Sequence, residues 1–326
     1  MRQARALWAV APGLCELRSE ALPEPGEGEV VVQALFGAVS RGTEALVVSG
    51  RVPPSEHERM RGPHMGGSFP FPVKYGYCTA GQVTAGALTA GTQVFCLHPH
   101  QEAFVVPATN VVVLPAGTTP ERAVLGPNLE TAINVVWDSQ LSLGDRVVVV
   151  GGGVVGCLVA WLAGQVPGVD VQLVDPAPRA EVAAALGVRH VLPSQAEGDA
   201  DVVVHASGHP DGAATALGLA GVEARVVEAS WFGARSVPLP LGEAFHSRRL
   251  TYRSSQVGQL PPLRRPRWSH ARRMQLALRL AAAPALAALF DRELAFDALA
   301  EELPAVLAPG ATGLCHRVRY GARSGE

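Results

Sequence analysis

The feature that most constrains this chain is a run of four valines closed by clustered glycines, Arg146 to Gly156 (RVVVVGGGVVG). An uncharged valine run is a strand buried on both faces, and such strands belong to parallel sheets. Gly151, Gly153 and Gly156 form a G-x-G-x-x-G turn into a helix. In that motif the first glycine makes a tight turn, the second lets backbone approach a pyrophosphate, and the third lets helix and strand meet closely. The helix opening at Val154 and Val155 would aim its free N–H groups and positive dipole end at the phosphates. Asp175 closes the next valine-containing strand about 20 residues on, where an acid grips a ribose 2′-hydroxyl. This context predicts a dinucleotide site, NAD favoured because Asp175 repels a 2′-phosphate. Arg179 could partner that phosphate, leaving NADP possible.

The remainder of 121–265 continues the alternation, with strands VQLVD, DVVVHAS and ARVVEAS separated by the helical stretches PRAEVAAALG and HPDGAATALGLAG. That βαβα order predicts a doubly wound parallel sheet. Strand carboxyl ends face the ligand crevice in such sheets, so Ser207 and Gly208 either lie beside the cofactor or form an ordinary turn between strand and helix. Residues 1–120 are different: short β-like segments with close Gly/Pro punctuation predict an irregular, barrel-like β-domain. The Pro-, Gly- and charge-rich stretch from Arg51 to Gly76 reads as a long ordered loop, in which His57, His64 and Lys74 could line a substrate site. After about Leu260 come a basic segment, a helix from about His270 to Leu289, and a closing strand GLCHRVRY. The fold class expected is α/β, an N-terminal β-barrel-type domain (1–120, completed by 266–326) and a Rossmann domain (121–265).

Composition narrows the function classes. The 326 residues are 48% hydrophobic and 17% charged, with a formal net charge of -2, which suits two globular domains. No basic block is present, so nucleic-acid binding is not expected. The uncharged run Val147–Gly164 approaches the length of a membrane span, but its strand–turn–helix pattern argues for a buried sheet. Five dispersed cysteines without a C-x-x-C pair fit a reducing cytoplasm better than a disulfide framework.

Four further segments carry a resemblance. Val39–Glu44 followed by Val47–Gly50, Gly76–Val83, Leu125–Thr131 and Gly313–Arg317 resemble the medium-chain dehydrogenase/reductase superfamily, with a match across essentially the whole chain. The resemblance implies a GroES-like domain plus a Rossmann domain, a homodimer formed through an edge strand, Thr131 at the cofactor and Arg317 near its pyrophosphate. Zinc alcohol dehydrogenases hold their metal at three positions that here carry Arg41, Tyr77 and Pro127, none of them a normal zinc ligand. The four-cysteine lobe of that family is absent, and the S-x-G-T-E element at Ser40–Glu44 resembles its zinc-free members. No zinc is expected, unless Cys78, Cys96, His98 or His100 serve as relocated ligands.

Arg41 and Tyr77 are then the candidates for the metal's work, Arg41 polarising a substrate oxygen and Tyr77 moving the hydroxyl proton, its pKa lowered by that cation. Glu44 is the third catalytic candidate, or simply the partner of Arg41. Asn128 and Glu130 either touch cofactor or substrate or cap a helix. The expectation is a zinc-free NAD(P)-dependent oxidoreductase acting on a small-molecule alcohol or carbonyl. The alternative is a non-catalytic dinucleotide-binding redox sensor or assembly partner.

Overall fold

The computed structural model describes residues 2–321. Two compact units emerge among them, one made of 2–127, 278–283 and 290–321, the other of 128–277 and 284–289.

In the first unit, alternating residues of Glu29–Val39 bury Val30, Val32 and Ala34. That strand lies near the middle of a seven-stranded sheet in the order Phe290–Ala295, Cys315–Arg319, Glu29–Val39, Thr79–Gly86, Gln93–Cys96, Val111–Val113, with Ala103–Pro107 also paired to Glu29–Val39. Val30, Val32, Val83, Val94, Cys96, Phe104 and Val106 form its apolar core. A smaller sheet orders Leu14–Ala21, Gln3–Ala11, Val73–Lys74 and Gly66–Gly67. The punctuated β pattern therefore does build a β-domain, closed by strands from the far end of the chain.

In the second unit six strands run parallel in the order Arg189–Val191, Asp170–Val174, Arg146–Val150, Ala200–His205, Ala220–Glu228, Thr251–Ser254. Sequence order reverses between Arg146–Val150 and Ala200–His205, the switch point at which doubly wound sheets bind their ligands. Val148, Val203 and Val226 on the three central strands are fully buried, as two-sided burial requires. The long apolar run resolves into strand Arg146–Val150 and helix Val154–Gly164, and among the described residues no helix is long and apolar enough to cross a membrane.

The unit boundaries differ from 120/121 and 265/266 for identifiable reasons. Arg122 donates to the carbonyls of Ala282 and Ala283, tying the first turn after Thr119 to the β-domain unit. Arg273, only 2% exposed, donates to Glu130, Asn134 and the Val257 carbonyl, which fixes residues 266–277 to the second unit. The last long helix also stops early, at Ala281, and continues only as a 3-10 turn over Pro284–Leu289, because Pro284 cannot donate to a preceding turn.

The Arg273–Glu130 pair (3.1 Å) is buried on both sides. Burial pushes the Glu130 carboxyl upward and Arg273 opposes that shift. Arg273→Met leaves an unpaired buried carboxylate and should destabilise the protein by about 3–5 kcal/mol in urea unfolding. The double variant Arg273→Met/Glu130→Leu should recover much of that loss; equal loss in single and double variants would contradict the pairing account.

Candidate functional site

The glycine loop is built as its residue types demand. Gly151 has φ +115°, and a β-carbon there would stand 2.5 Å from the Ser207 nitrogen and 2.7 Å from the Ala206 carbonyl carbon. A β-carbon on Gly156 would lie 1.8 Å from the Gly151 carbonyl oxygen, so helix and strand meet only through glycine. Gly153 behaves oppositely. It is exposed, has nothing within 4 Å of its missing β-carbon, and precedes helix Val154–Gly164 without any side-chain cap. Open space before an uncapped helix start leaves first-turn N–H groups for an anion. Val154 and Val155 form that first turn, half-buried.

Asp175 sits at the loop's flank. Its Oδ2 accepts the Gly152 N–H (2.5 Å) and its Oδ1 accepts the Ala177 N–H (2.8 Å). The acid thus orders the glycine loop while keeping lone pairs for a ribose hydroxyl. The Arg179 side chain lies against the same loop, its Cγ 3.0 Å from a β-carbon on Gly152. Its buried Nε has no hydrogen-bond partner among the described residues. A cation left in that state beside the loop suits an added phosphate. Nearby, burial raises the Cys157 thiol to about 12, with Arg179 pulling the other way. Gly151–Gly156, Asp175 and Arg179 therefore converge, and they fit a dinucleotide.

Ser207 joins this group by its contact with Gly151 and brings a polar cluster that the sequence reading passed over. His205 ends its strand fully buried, with Nδ1 2.7 Å from Glu228 Oε2 and Nε2 2.6 Å from Ser207 Oγ. Tyr252 donates to the same Glu228 carboxylate (2.6 Å). The signal was present: two valine strands, VVVH and RVVE, each end on an ionisable residue, which a fully apolar strand has no packing reason to do. Thr131 is carried on the helix Gly126–Ser139 in the same unit. Glu130 is engaged by Arg273 rather than acting as a helix cap.

The catalytic candidates lie in the β-domain unit, and their chemistry differs from the expectation. The Arg41 guanidinium donates to the Ala311 carbonyl (2.5 Å) and the Gly313 carbonyl (2.7 Å). Tyr77 donates to Ser40 Oγ (2.6 Å). Burial, with Cys78 and Tyr75 nearby, pushes the Tyr77 phenol well above its usual range. The expected lowering by Arg41 is therefore corrected: desolvation dominates, and Tyr77 keeps its proton at neutral pH. Glu44, 3% exposed, accepts from the Ser40 N–H (2.7 Å) and lies 3.0 Å from His100 Nε2. It closes the start of helix Arg41–Val48 and pairs with His100, where pairing with Arg41 was the simpler expectation.

The candidate relocated zinc ligands scatter. Cys96 Sγ lies 3.4 Å from the Asn110 carbonyl, and His98 stacks on Phe104 with ring centroids 3.7 Å apart. Burial lowers His98 to about 3 and raises Cys78 well above its usual range. Among the described residues no three His, Cys, Asp or Glu side chains gather so as to hold a metal ion. The guanidinium and phenol of Arg41 and Tyr77 do not fit zinc either. Arg317 pairs with Glu293 (3.4 Å) and lies over the Phe290 ring, 4.7 Å from its centroid. In the long loop, Lys74 binds Glu20 (2.6 Å) and His64 lies 3.2 Å from Asn110.

No protein-family model matches the chain. One curated relative, 2-dehydro-3-deoxy-L-galactonate 5-dehydrogenase of Pseudoalteromonas atlantica, is 37% identical over 94 residues, which is 28% of this chain and 27% of the relative. The chain thus matches little more than a quarter of that relative's length. Solved structures align over nearly all of it. They include 2R,3R-butanediol dehydrogenase from Bacillus subtilis (18% identity, TM-score 0.78, covering 97% of this chain and 99% of that one). L-Idonate 5-dehydrogenase from Escherichia coli aligns at 15% identity with TM-score 0.79, covering 98% of each chain. An Escherichia coli alcohol dehydrogenase complexed with NADH aligns at 17% identity with TM-score 0.76, covering 97% and 99%. With its mainly antiparallel β-domain and its doubly wound parallel sheet, the chain has the fold of these solved dehydrogenases.

Proposed function

We propose that this protein is a zinc-independent, NAD(P)-dependent oxidoreductase that transfers hydride between the nicotinamide and a small or medium organic alcohol or carbonyl. The observation that carries the reading is the glycine loop: closed at Gly151 and Gly156, open at Gly153, and flanked by Asp175 and Arg179. When bound, the nicotinamide supplies the hydride acceptor or donor. Gly153 and the Val154–Val155 turn would hold the phosphates, Asp175 the ribose, and Arg179 a 2′-phosphate if NADP is the cofactor. The butanediol, idonate and deoxygalactonate dehydrogenases among the similar proteins support a polyol, sugar acid or related carbonyl as substrate.

On this reading Arg41 steadies the developing charge on the substrate oxygen. Tyr77, protonated through burial, acts as a hydrogen-bond donor and not as a base. The same reading includes a cytoplasmic protein, with a homodimer formed through an edge of the parallel sheet, whose outer strands Arg189–Val191 and Thr251–Ser254 leave backbone groups to pair. One observation favours the second reading, a non-catalytic dinucleotide-binding protein. Arg41 and Tyr77 both spend hydrogen bonds on internal partners, Ala311, Gly313 and Ser40.

Nicotinamide fluorescence separates these outcomes. NADH should bind saturably, and Asp175→Ala should weaken it by about tenfold, the worth of one charge-assisted hydrogen bond. NADPH should gain relative to NADH in that variant, since the repulsion is gone. Saturable binding in neither case would refute the site.

With NADH and a panel of small ketones and aldehydes, turnover is expected. Arg41→Ala should lower kcat/KM on the order of 10²-fold while leaving the NADH affinity intact. Tight NADH binding without turnover across polyols, sugar acids and their carbonyls would favour the non-catalytic reading.

A further inference from the structure

The cluster at the ends of Ala200–His205 and Ala220–Glu228 does work that the dinucleotide reading alone does not ask for. The parallel register puts His205 opposite Val150 on one side and Glu228 on the other, at the switch point. Glu228 is held from three directions: by His205 Nδ1, by the Tyr252 hydroxyl (2.6 Å) and by the Ser230 N–H (2.7 Å). Burial opposes its charge, but these hydrogen bonds prevail and keep its carboxyl below the usual range. An ionised Glu228 fixes the imidazole proton on Nδ1. When the ring is neutral Nε2 is then an acceptor, and among the described residues the only polar group within its reach is the Ser207 hydroxyl at 2.6 Å.

Ser207 is exposed, while His205 behind it is fully buried. Ser207 Oγ also accepts the His209 N–H (3.1 Å), and of the two acceptors for its single hydrogen, His205 Nε2 at 2.6 Å is far closer than the His209 carbonyl at 3.5 Å, so the hydrogen points inward. The surroundings are cleared for this pair. A β-carbon on Gly212 would stand 2.3 Å from Ser207 Oγ and 2.7 Å from His205 Nε2. Across the loop, the Ser207 backbone abuts Gly151, the first glycine of the phosphate turn.

We propose that His205 and Glu228 are positioning residues that make Ser207 a proton-linked hydrogen-bond donor to the bound dinucleotide. This rests on the dinucleotide reading of the glycine loop. For Ser207 to donate to a ligand oxygen, its hydrogen must leave Nε2. A buried Nε2 stripped of its partner is costly. A proton taken from solvent removes that cost: Nε2–H then donates to Ser207 Oγ, and the serine O–H turns outward to the ligand. No bond to carbon changes; one proton moves onto His205, whose charge Glu228 balances. The other ionisable groups facing this pair do not substitute for His205. Tyr252 is held as a phenol by burial and by Glu228. His209 and Asp211, at the start of helix Pro210–Leu219, are exposed and lie 3.6 Å from each other. The Phe232 ring stacked on His205, with centroids 5.9 Å apart, carries no charge.

The sign follows from linkage. Binding takes up a proton, so affinity rises as pH falls, by at most about tenfold per pH unit. The test is titration calorimetry of NADH binding at neutral pH in PIPES and in Tris, whose ionisation enthalpies differ, for wild type, Ser207→Ala, His205→Gln and Glu228→Gln. Wild type should take up a substantial fraction of a proton. Ser207→Ala and His205→Gln should bind NADH with no buffer-dependent heat, and Glu228→Gln should lose most of it. Ser207→Ala alters one exposed hydroxyl, so it carries the test even if His205→Gln does not fold. Saturable NADH binding with the same heat in both buffers for wild type, or uptake retained in Ser207→Ala, overturns the proposal and leaves the dinucleotide reading standing. Absence of binding of both NADH and NADPH in every protein overturns both.

Discussion

The helix Val154–Gly164 can lie on the strand Arg146–Val150 only because Gly156 has no side chain. Any β-carbon there would sit inside the Gly151 carbonyl oxygen, 1.8 Å away. That approach sets the direction of the helix start and leaves Gly153 open beneath it. It also brings Gly151 against Ser207, so the ends of two adjacent parallel strands share one small surface. The sheet's two-sided burial supplies the rigidity: Val148, Val149, Val203 and Val204 are wholly or almost wholly buried and leave little room for the strand ends to shift.

Each unit places its ionisable groups where burial, rather than solvent, governs them. In the second unit Glu228 is held below the usual carboxylate range because three donors surround it, whereas at Glu130 burial outweighs the single partner Arg273 and pushes the carboxyl up. In the first, desolvation pushes Tyr77 and Cys78 toward their neutral forms, at Tyr77 against the opposing hydrogen bonds of Ser40 and Thr43. The contrast explains why Tyr77 is assigned a hydrogen-bonding part while His205 is assigned the mobile proton. An imidazole between a carboxylate and a hydroxyl can change state without stranding a charge; a desolvated phenol bonded to Ser40 cannot.

The parallel sheet and its glycine turn were legible in the sequence because their signals are local. A valine run, three spaced glycines and an acid ending the next strand need no knowledge of distant residues. The early end of the last helix was missed although its cause is local, since the helix read to Leu289 runs across Pro284. What could not be read were partnerships across the chain. Arg41 finds carbonyls some 270 residues away, at Ala311 and Gly313, and Arg273 finds Glu130 across 143 residues. Glu44 passes over the nearby arginine for His100 because its carboxylate closes a helix start. The His205–Glu228 pair was hidden for a related reason. Register between parallel strands places the two side by side, and nothing in either strand announces that register.

The most direct test of this account is a crystal structure of the protein grown with NADH. The account predicts pyrophosphate density over Gly153 and the Val154–Val155 turn, the adenosine ribose at Asp175, and Ser207 Oγ within hydrogen-bond distance of the dinucleotide. NADH bound at any other surface, with the glycine loop empty at saturating ligand, would contradict it.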